Sequence, residues 1–164
     1  MLCDQLGYPA SAEAVRGRIT EISRDEHHAI CVAGTGGCVI GWVHVYLCLL
    51  LEVDLQAEIS GLVVDESWRS RGVGRLVLDR AGQWAREHGV CKLNVRSNTV
   101  RERAPAFYER AGCVCFKTSR VFPKTLKQVD LCNHSGRLKS SSLGTVPVVA
   151  TRRVAPMPTL AGST

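Results

Sequence analysis

The sequence predicts an α/β domain with a central mixed sheet and helices on both of its faces. Apolar runs with strand character recur through the first three quarters of the chain, and segments with helical periodicity separate several of them. Glycine-rich turns join other neighbouring runs as hairpins, so antiparallel pairing is expected beside the parallel kind. A length of 164 residues allows one well-buried core and is short for two.

The first part of the chain is predicted to contain one helix and three strands. The helix covers residues 11–22, where Val15, Ile19 and Ile22 fall on one face. The strands follow as three apolar runs, at residues 29–33, 39–46 and 57–64, with a hairpin turn at residues 34–37. Residues 47–56 are ambiguous, because acidic residues follow an apolar run there.

A glycine-bearing turn and a second helix come next. This helix is predicted to run from near Val73 to about His88, and Gly89 suits a left-handed helix stop. Its predicted buried face consists of Val73, Leu76, Val77, Ala81 and Trp84. Three further elements are predicted after it: a strand at residues 92–95, a short helix at 104–111, and a final hairpin formed by residues 113–118 and 120–123.

The turn between the third strand and the second helix has the chemistry of a phosphate site. At a helix N-terminus the first N–H groups lack intrahelical partners, and the helix dipole adds positive potential. Gly72 and Gly74 allow a ligand to approach this backbone closely. Arg69, Arg71 and Arg75 can offer guanidinium groups to phosphate oxygens. The spacing fits neither a dinucleotide-binding loop nor a P-loop, so another phosphate ligand is indicated.

Two motifs carry a family resemblance. Residues 69–74 read R-x-x-G-x-G, and residues 104–112 read A-x-x-F-Y-E-R-x-G after an asparagine at position 98. Both are similar to signatures of the GNAT superfamily, the N-acyltransferases that use acyl-CoA. Residues 41–45 look like the third strand of many bacterial members. The resemblance runs over about residues 6–124 and implies the GNAT fold, a mixed sheet covered by helices on both faces.

The resemblance implies acetyl-CoA as co-substrate. The turn would hold its pyrophosphate, and the candidate residues there are Arg69, Ser70, Arg71, Gly72, Val73, Gly74 and Arg75. In this family the strand before the turn splays open, so the main chain of Leu62, Val63 and Val64 is expected to bond to the pantetheine arm. Asn98 matches an asparagine that bonds CoA or shapes this opening, and a simple role in a loop turn is the alternative.

Two residues are candidates for proton transfer. Tyr108 matches the tyrosine that family members place near the CoA sulfur, and a phenol with a pKa near 10 is protonated at neutral pH and can donate. An amine acceptor must lose a proton, and Glu58 is the candidate base, because several GNAT branches keep a glutamate there that works through water. A core aromatic residue is the alternative for Tyr108. For Glu58 the alternatives are a structural ion pair and a partner for a substrate charge.

The implied reaction moves an acetyl group to a primary amine of a small molecule by direct attack in a ternary complex. A protein acceptor, through a lysine or an N-terminal amine, is an alternative within the enzymes. A non-catalytic CoA-binding regulatory module is an alternative outside them. Glu52 and Asp54 could attract a cationic amine at the acceptor mouth, although exposed loop acids are equally common. A homodimer is compatible with the sequence.

Charge and composition argue against several other classes. Residues 1–124 hold 16 Lys and Arg against 14 Asp and Glu, whereas residues 125–164 hold 5 against 1, so most of the net charge of +6 lies outside the predicted domain. No base-reading motif is present, and no nucleic-acid partner is expected. The longest apolar run is too short for a membrane span and no secretory signal is visible, which predicts a cytoplasmic protein without membrane association.

The 8 cysteines and 5 histidines are scattered without paired spacing, so no metal is predicted. The domain is expected to cover residues 1–124, and residues 125–164, rich in Ser, Thr, Pro and Gly, are expected to form a disordered basic tail. The match to the family begins near Leu6, so a first strand and part of the acceptor-site cover are expected to be missing. Cofactor binding is therefore better supported than turnover.

Overall fold

The computed structural model describes residues 2–98, 101 and 103–126. The helices are α1 (Leu2–Gln5), α2 (Ala12–Ile22), α3 (Val73–Glu87) and α4 (Arg103–Arg110). The strands are β1 (His28–Thr35), β2 (Cys38–Leu50), β3 (Val53–Val64) and β4 (Leu93–Val95), and a 3₁₀ turn (Glu66–Trp68) precedes α3. The chain divides into two compact units after Ser119, and all these elements belong to the first unit. The predicted tail lies outside the described residues, except for its first two.

The sheet is mixed, as predicted. Its strands lie in the order β1-β2-β3-β4; the first three are antiparallel, and β4 runs parallel to β3. The segment predicted to be ambiguous is the outer part of the β2–β3 hairpin, which closes where Leu50 pairs with Val53. A ladder of this length is set by cross-strand pairing, which the local composition of residues 47–56 did not reveal.

The core lies between the sheet and α3. Val43, Val45 and Ala57 are fully buried on the sheet side. Helix α3 contributes Val73, Val77, Leu78, Ala81, Trp84 and Ala85. The prediction for Leu76 was wrong, because this side chain is 64% exposed. The buried stripe follows the i, i+4, i+8 row from Val73 and widens on the side of Leu78, which leaves Leu76 on the solvent flank.

The opposite face of the sheet carries the N-terminal segment. A Cβ atom added to Gly61 would lie 3.1 Å from the Trp42 ring and 3.4 Å from the Leu6 side chain. Trp42 points away from the α3 side, because its neighbour Val43 packs in the core. The N-terminal segment that contains α1 therefore covers this face, and α1 contacts β3. Helix α2 begins one residue after the predicted start, because Ser11 is its N-cap and the Ser11 hydroxyl accepts from the Ala14 N–H at 3.1 Å. No residue of α2 is buried.

The predicted final hairpin was wrong: residues 113–126 contain no strand. Val114, Phe116 and Val121 in this segment are all more than 70% exposed, so their alternation does not produce a buried face. Among the described residues, none of the helices has the length and apolar character needed to cross a membrane.

Candidate active site

A groove opens in the sheet between β3 and β4. The two strands pair over only three positions, from Ala57 opposite Leu93 to Ile59 opposite Val95. The register of β3 against β2 shifts immediately afterwards, because Val45 faces Ile59 whereas His44 faces Gly61. Ser60 is thus an extra residue, a β-bulge, and such a bulge bends a strand and increases its twist. The two strands separate beyond this point.

The bulge determines which main-chain groups face the opening. The N–H of Asp65 donates to Ile40 on β2 at 2.9 Å. Main-chain groups alternate between the two edges of a strand, so those of Leu62 and Val64 point away from β2 and towards the groove. Val63 is the exception among the three predicted pantetheine residues: its main chain faces Trp42 on β2, and its side chain is buried.

The glycine-bearing turn follows the groove edge. Gly72 has φ 82° and is the N-cap of α3 without a side-chain hydrogen bond, and Ser70 also has a positive φ of 61°. The first helical bond in α3 runs from the Leu76 N–H to the Gly72 carbonyl at 3.0 Å. The N–H groups of Val73, Gly74 and Arg75 therefore precede the helical ladder and have no intrahelical acceptor.

The two glycines of the turn, Gly72 and Gly74, differ in how much free space surrounds them. A Cβ atom on Gly72 would meet no atom within 4 Å, whereas a Cβ atom on Gly74 would lie 3.2 Å from the Phe107 ring of α4. Gly72 is thus required for its left-handed conformation, and Gly74 for the close approach of α4. Together they leave the helix N-terminus open on one side and packed on the other.

The three arginines of the turn have different partners. Arg69 donates through Nε to the Val64 carbonyl and through Nη2 to the Gln5 amide oxygen, both at 3.2 Å. The Arg71 guanidinium lies 5.1 Å from the Trp68 ring centroid. Arg75 forms an ion pair with Asp79 at 2.8 Å, one helical turn away. Arg69 and Arg75 line the groove, whereas Arg71 is not among its lining residues.

The groove has a volume of about 1220 Å³ and extends from the N-terminal segment to α4. It brings together most of the residues predicted from the sequence as cofactor or catalytic groups: Leu62, Val63, Val64, Arg69, Ser70, Gly72, Gly74, Arg75, Asn98 and Tyr108. Three predicted residues do not line it: Glu58, Arg71 and Val73. Of these, Val73 is buried in the core through its side chain.

Glu58 lies just behind the groove in a polar cluster. It is 5% exposed, and its carboxylate accepts from Tyr46 Oη at 2.8 Å, from Arg96 Nε at 2.9 Å and from Arg96 Nη2 at 3.1 Å. The Arg96 side chain is 72% exposed and lines the groove. It therefore links the buried carboxylate to the opening, so the ion pair considered as an alternative for Glu58 is present.

Tyr46 and Arg96 are functional candidates that sequence reasoning missed. Tyr46 stands directly opposite Glu58 in the β2–β3 ladder, a register that depends on the position of the hairpin turn. Burial, followed by the hydrogen bond to the Glu58 carboxylate, raises the pKa of Tyr46 to about 12. Its ring stacks on His28, whose Nδ1 lies 3.0 Å from Nε2 of His44. Arg96 follows the short β4 and carried no sequence signal.

Tyr108 lies on α4 and lines the groove. Burial raises the pKa of its phenol, so the neutral, proton-donating form is favoured beyond the usual range. The Phe107 ring packs edge-on against it, with the two ring centroids 5.1 Å apart. By contrast, Glu52 and Asp54 line a separate depression at the end of the β2–β3 hairpin. The two acids are thus not at the groove.

Comparisons with known proteins identify the family of the chain. A profile of the Acetyltransferase (GNAT) family matches residues 3–113. No curated protein matches the chain. Among solved structures, the aminoglycoside 6'-N-acetyltransferase AAC(6')-IG of Acinetobacter haemolyticus superposes with a TM-score of 0.64 at 13% identity, covering 73% of this chain and 86% of that one.

Two further structures are similar. AAC(6')-Iy, in complex with a bisubstrate analogue of CoA and acetylneamine, has a TM-score of 0.68 at 19% identity and covers 76% of this chain and 88% of its own. A transcriptional regulator from Bacillus halodurans C-125 has a TM-score of 0.57 at 27% identity, with coverages of 71% and 77%. The matched profile spans well over half of the sequence. The chain is therefore an acetyltransferase of the GNAT family.

Proposed function

We propose that this acetyltransferase moves an acetyl group from acetyl-CoA to a primary amine of a small molecule, by direct attack within a ternary complex. The observation that carries the proposal is the groove, in which an open strand edge, a free helix N-terminus and a protonated phenol lie side by side. This combination matches what a thioester donor with a diphosphate needs: a strand-like partner for its peptide-like arm, anion-binding amides and a proton donor.

The cofactor end of the groove is assigned to the turn. The N–H groups of Val73, Gly74 and Arg75 point out of the helix end, and Gly72 leaves open space beside them. Arg69 is held by the Val64 carbonyl and by Gln5, which fixes its guanidinium at the groove edge. The pantetheine arm is assigned to the groove-facing main chain of Leu62 and Val64.

The proton donor is assigned to Tyr108. When acetyl-CoA is bound, it supplies an activated acyl carbon and a thiolate leaving group. The C–N bond forms as the C–S bond breaks, and the departing sulfur takes the phenol proton. The phenol then regains a proton from the nitrogen side, so the products are an amide, a free thiol and one released proton. A phenol kept neutral by burial suits this role.

The proton acceptor is assigned to Glu58. An alkylamine is mostly protonated at neutral pH and must lose a proton before it can attack. The carboxylate lies behind Arg96, so a proton would reach it through water or after Arg96 moves aside. Arg96 is largely exposed, and its side chain can reorient without disturbing the core.

The test is release of free thiol from acetyl-CoA over a panel of small amines, with the acetylated product identified by mass spectrometry. We expect thiol release that requires one of the amines. Binding of acetyl-CoA by calorimetry without thiol release for any amine or peptide would contradict the proposal and favour the non-catalytic module. Release with a lysine-containing peptide alone would favour the protein acceptor. The cytoplasmic location and the homodimer stay predictions.

A further inference from the structure

The groove is strongly basic. Its lining includes six arginines and, among the described residues, a single aspartate, Asp4. The cofactor proposed for the groove carries several phosphate groups, and these would balance part of the positive charge of the arginines. Any arginine that lies away from the phosphate end is available to the acceptor.

Four of the arginines stand on elements that meet at the turn. Arg69 and Arg75 flank the turn itself. Arg103 and Arg110 are the first and last residues of α4, which packs against the turn through Phe107. All four line the groove, and guanidinium groups bind phosphate oxygens well. The remaining two arginines are Arg96, which follows β4, and Arg101, whose main-chain carbonyl accepts from the Ala104 N–H at the start of α4 at 3.3 Å.

Arg96 and Arg101 differ in how their charges are compensated. The Arg96 charge is balanced by the Glu58 carboxylate, to which it makes two contacts. Arg101 donates to the main-chain carbonyl oxygen of Leu6, a neutral acceptor. A neutral partner leaves the positive charge of Arg101 uncompensated by that contact, so it can still attract an anion.

Arg101 is also close to the reacting end of the groove. Arg101 and Tyr108 both line the groove, and the positive charge of Arg101 partly offsets the effect of burial on the pKa of Tyr108. Through Leu6 it contacts the segment that covers Gly61, on the sheet face opposite α3. That face also carries Glu58, the proposed base. Arg101 therefore stands between the proposed proton donor and the acceptor side.

The charges on this side do not suit a polycationic acceptor. The acids Glu52 and Asp54, which the sequence suggested for attracting a cation, line a different depression. The Glu58 carboxylate is already paired with Arg96. Among the described residues that line the groove, Asp4 is the one acid against six arginines, so an acceptor with several ammonium groups would meet an excess of positive charge, and like charges repel.

We propose that the acceptor carries a carboxylate beside its amine, and that Arg101 binds this carboxylate. The substrate class is thus the amino acids, with the amine directed towards Glu58 and the acid group towards Arg101. A guanidinium can form two parallel hydrogen bonds with a carboxylate, which would fix the orientation of the amine as well as its position. This inference rests on the proposed function, because it names the acceptor of the same site.

The test compares each amino acid in a panel with its carboxamide, which keeps the amine and removes only the negative charge. We expect kcat/KM for the acid to exceed that for the amide by about tenfold to hundredfold, the range of a hydrogen bond to a charged group. Arg101→Gln should remove this preference and Arg101→Lys should restore part of it. Arg24→Gln, which removes an exposed charge on the surface, is the matched control.

The outcomes separate this inference from the proposed function. Equal rates for acids and amides in the unmodified protein would overturn the inference, and so would efficient acetylation of a polyamine such as spermidine. A purely structural role of Arg101 would lower the rates for acid and amide together, and this result would also overturn it. No thiol release with any amine, charged or neutral, would instead contradict the proposed function. Acetyl-CoA binding by Arg101→Gln, measured by calorimetry, verifies that the variant is folded.

Discussion

Glu58→Gln separates a catalytic from a structural carboxylate. Glu58 is 5% exposed and accepts hydrogen bonds from Tyr46 and Arg96, a pattern that either role could produce. Glutamine keeps the shape and one acceptor oxygen but cannot take a proton from an ammonium group. If Glu58 is the base, kcat should fall by about 10²–10⁴-fold, the usual contribution of general acid–base catalysis.

The effect of Glu58→Gln on stability depends on the solvent exposure of the Glu58 and Arg96 side chains. Removing one partner from a fully buried ion pair costs about 3–5 kcal/mol, because the other charge is left without water. Here the Arg96 side chain is 72% exposed, so its charge is solvated when Glu58 becomes neutral. The loss is therefore closer to that of an exposed pair, about 0.2–1 kcal/mol. The substitution also removes the cost of burying a charged carboxylate, which acts in the stabilising direction. We expect the free energy of unfolding to change by no more than about 1 kcal/mol.

The assay combines turnover by thiol release with urea unfolding on the same preparation. Glu21→Gln serves as control, because Glu21 is an exposed acid paired with Arg24 on α2. A catalytic role predicts a large loss of kcat with nearly unchanged stability. If turnover stays within a few-fold of the unmodified protein while the unfolding midpoint drops, Glu58 is structural and the assignment of the base is wrong.

Three other substitutions test neighbouring features. Tyr108→Phe should lower kcat by about 10²-fold or more with little effect on acetyl-CoA binding, and an unchanged kcat would exclude the phenol as proton donor. Gly72→Ala should cost about 1–2 kcal/mol in urea unfolding from its left-handed conformation alone, whereas Gly17→Ala, in equally open space on α2, should not destabilise. Tyr46→Phe should make the free energy of unfolding less dependent on pH under alkaline conditions. The pKa of Tyr46 is raised to about 12, so Tyr46 contributes stability that is complete below pH 10 and is lost as the pH rises through about 12. A stability curve at high pH that is identical in the variant would refute that account.

The sequence predicted the elements whose signals are local. Helix α3 begins at the predicted residue, directly after Gly72. Gly72 adopts a left-handed conformation, which glycine reaches without a steric penalty, so the signal is local. The start of α2 was also predicted to within one residue, next to its N-cap Ser11. The failures depend on distant contacts. Residues 113–118 have strand-like composition, but a strand needs a partner edge, and periodicity along one segment does not identify one.

The site was predicted in part for the same reason. Groove residues adjacent in sequence, such as those of the turn, were found together. The partners of Glu58 were not found, because Tyr46 and Arg96 reach it across strands, through a register that the hairpin and the bulge determine. One contact could have been anticipated: Arg75 and Asp79 are four residues apart on a helix, a spacing at which opposite charges pair. That pairing leaves Arg75 less free for a phosphate than Arg69.

The bulge at Ser60 explains how one strand serves two purposes. Before it, β3 pairs with β4, and the Ala57 N–H bonds to the Lys92 carbonyl at 2.9 Å. This closed part holds Glu58 rigidly in its polar cluster. After the bulge, the extra residue shifts the alternation by one, so the groups that face away from β2 belong to Leu62 and Val64. The strands have separated there, and these groups meet the groove instead of a neighbouring strand. A straight strand would either stay paired and close the groove or lose the rigid support of the carboxylate.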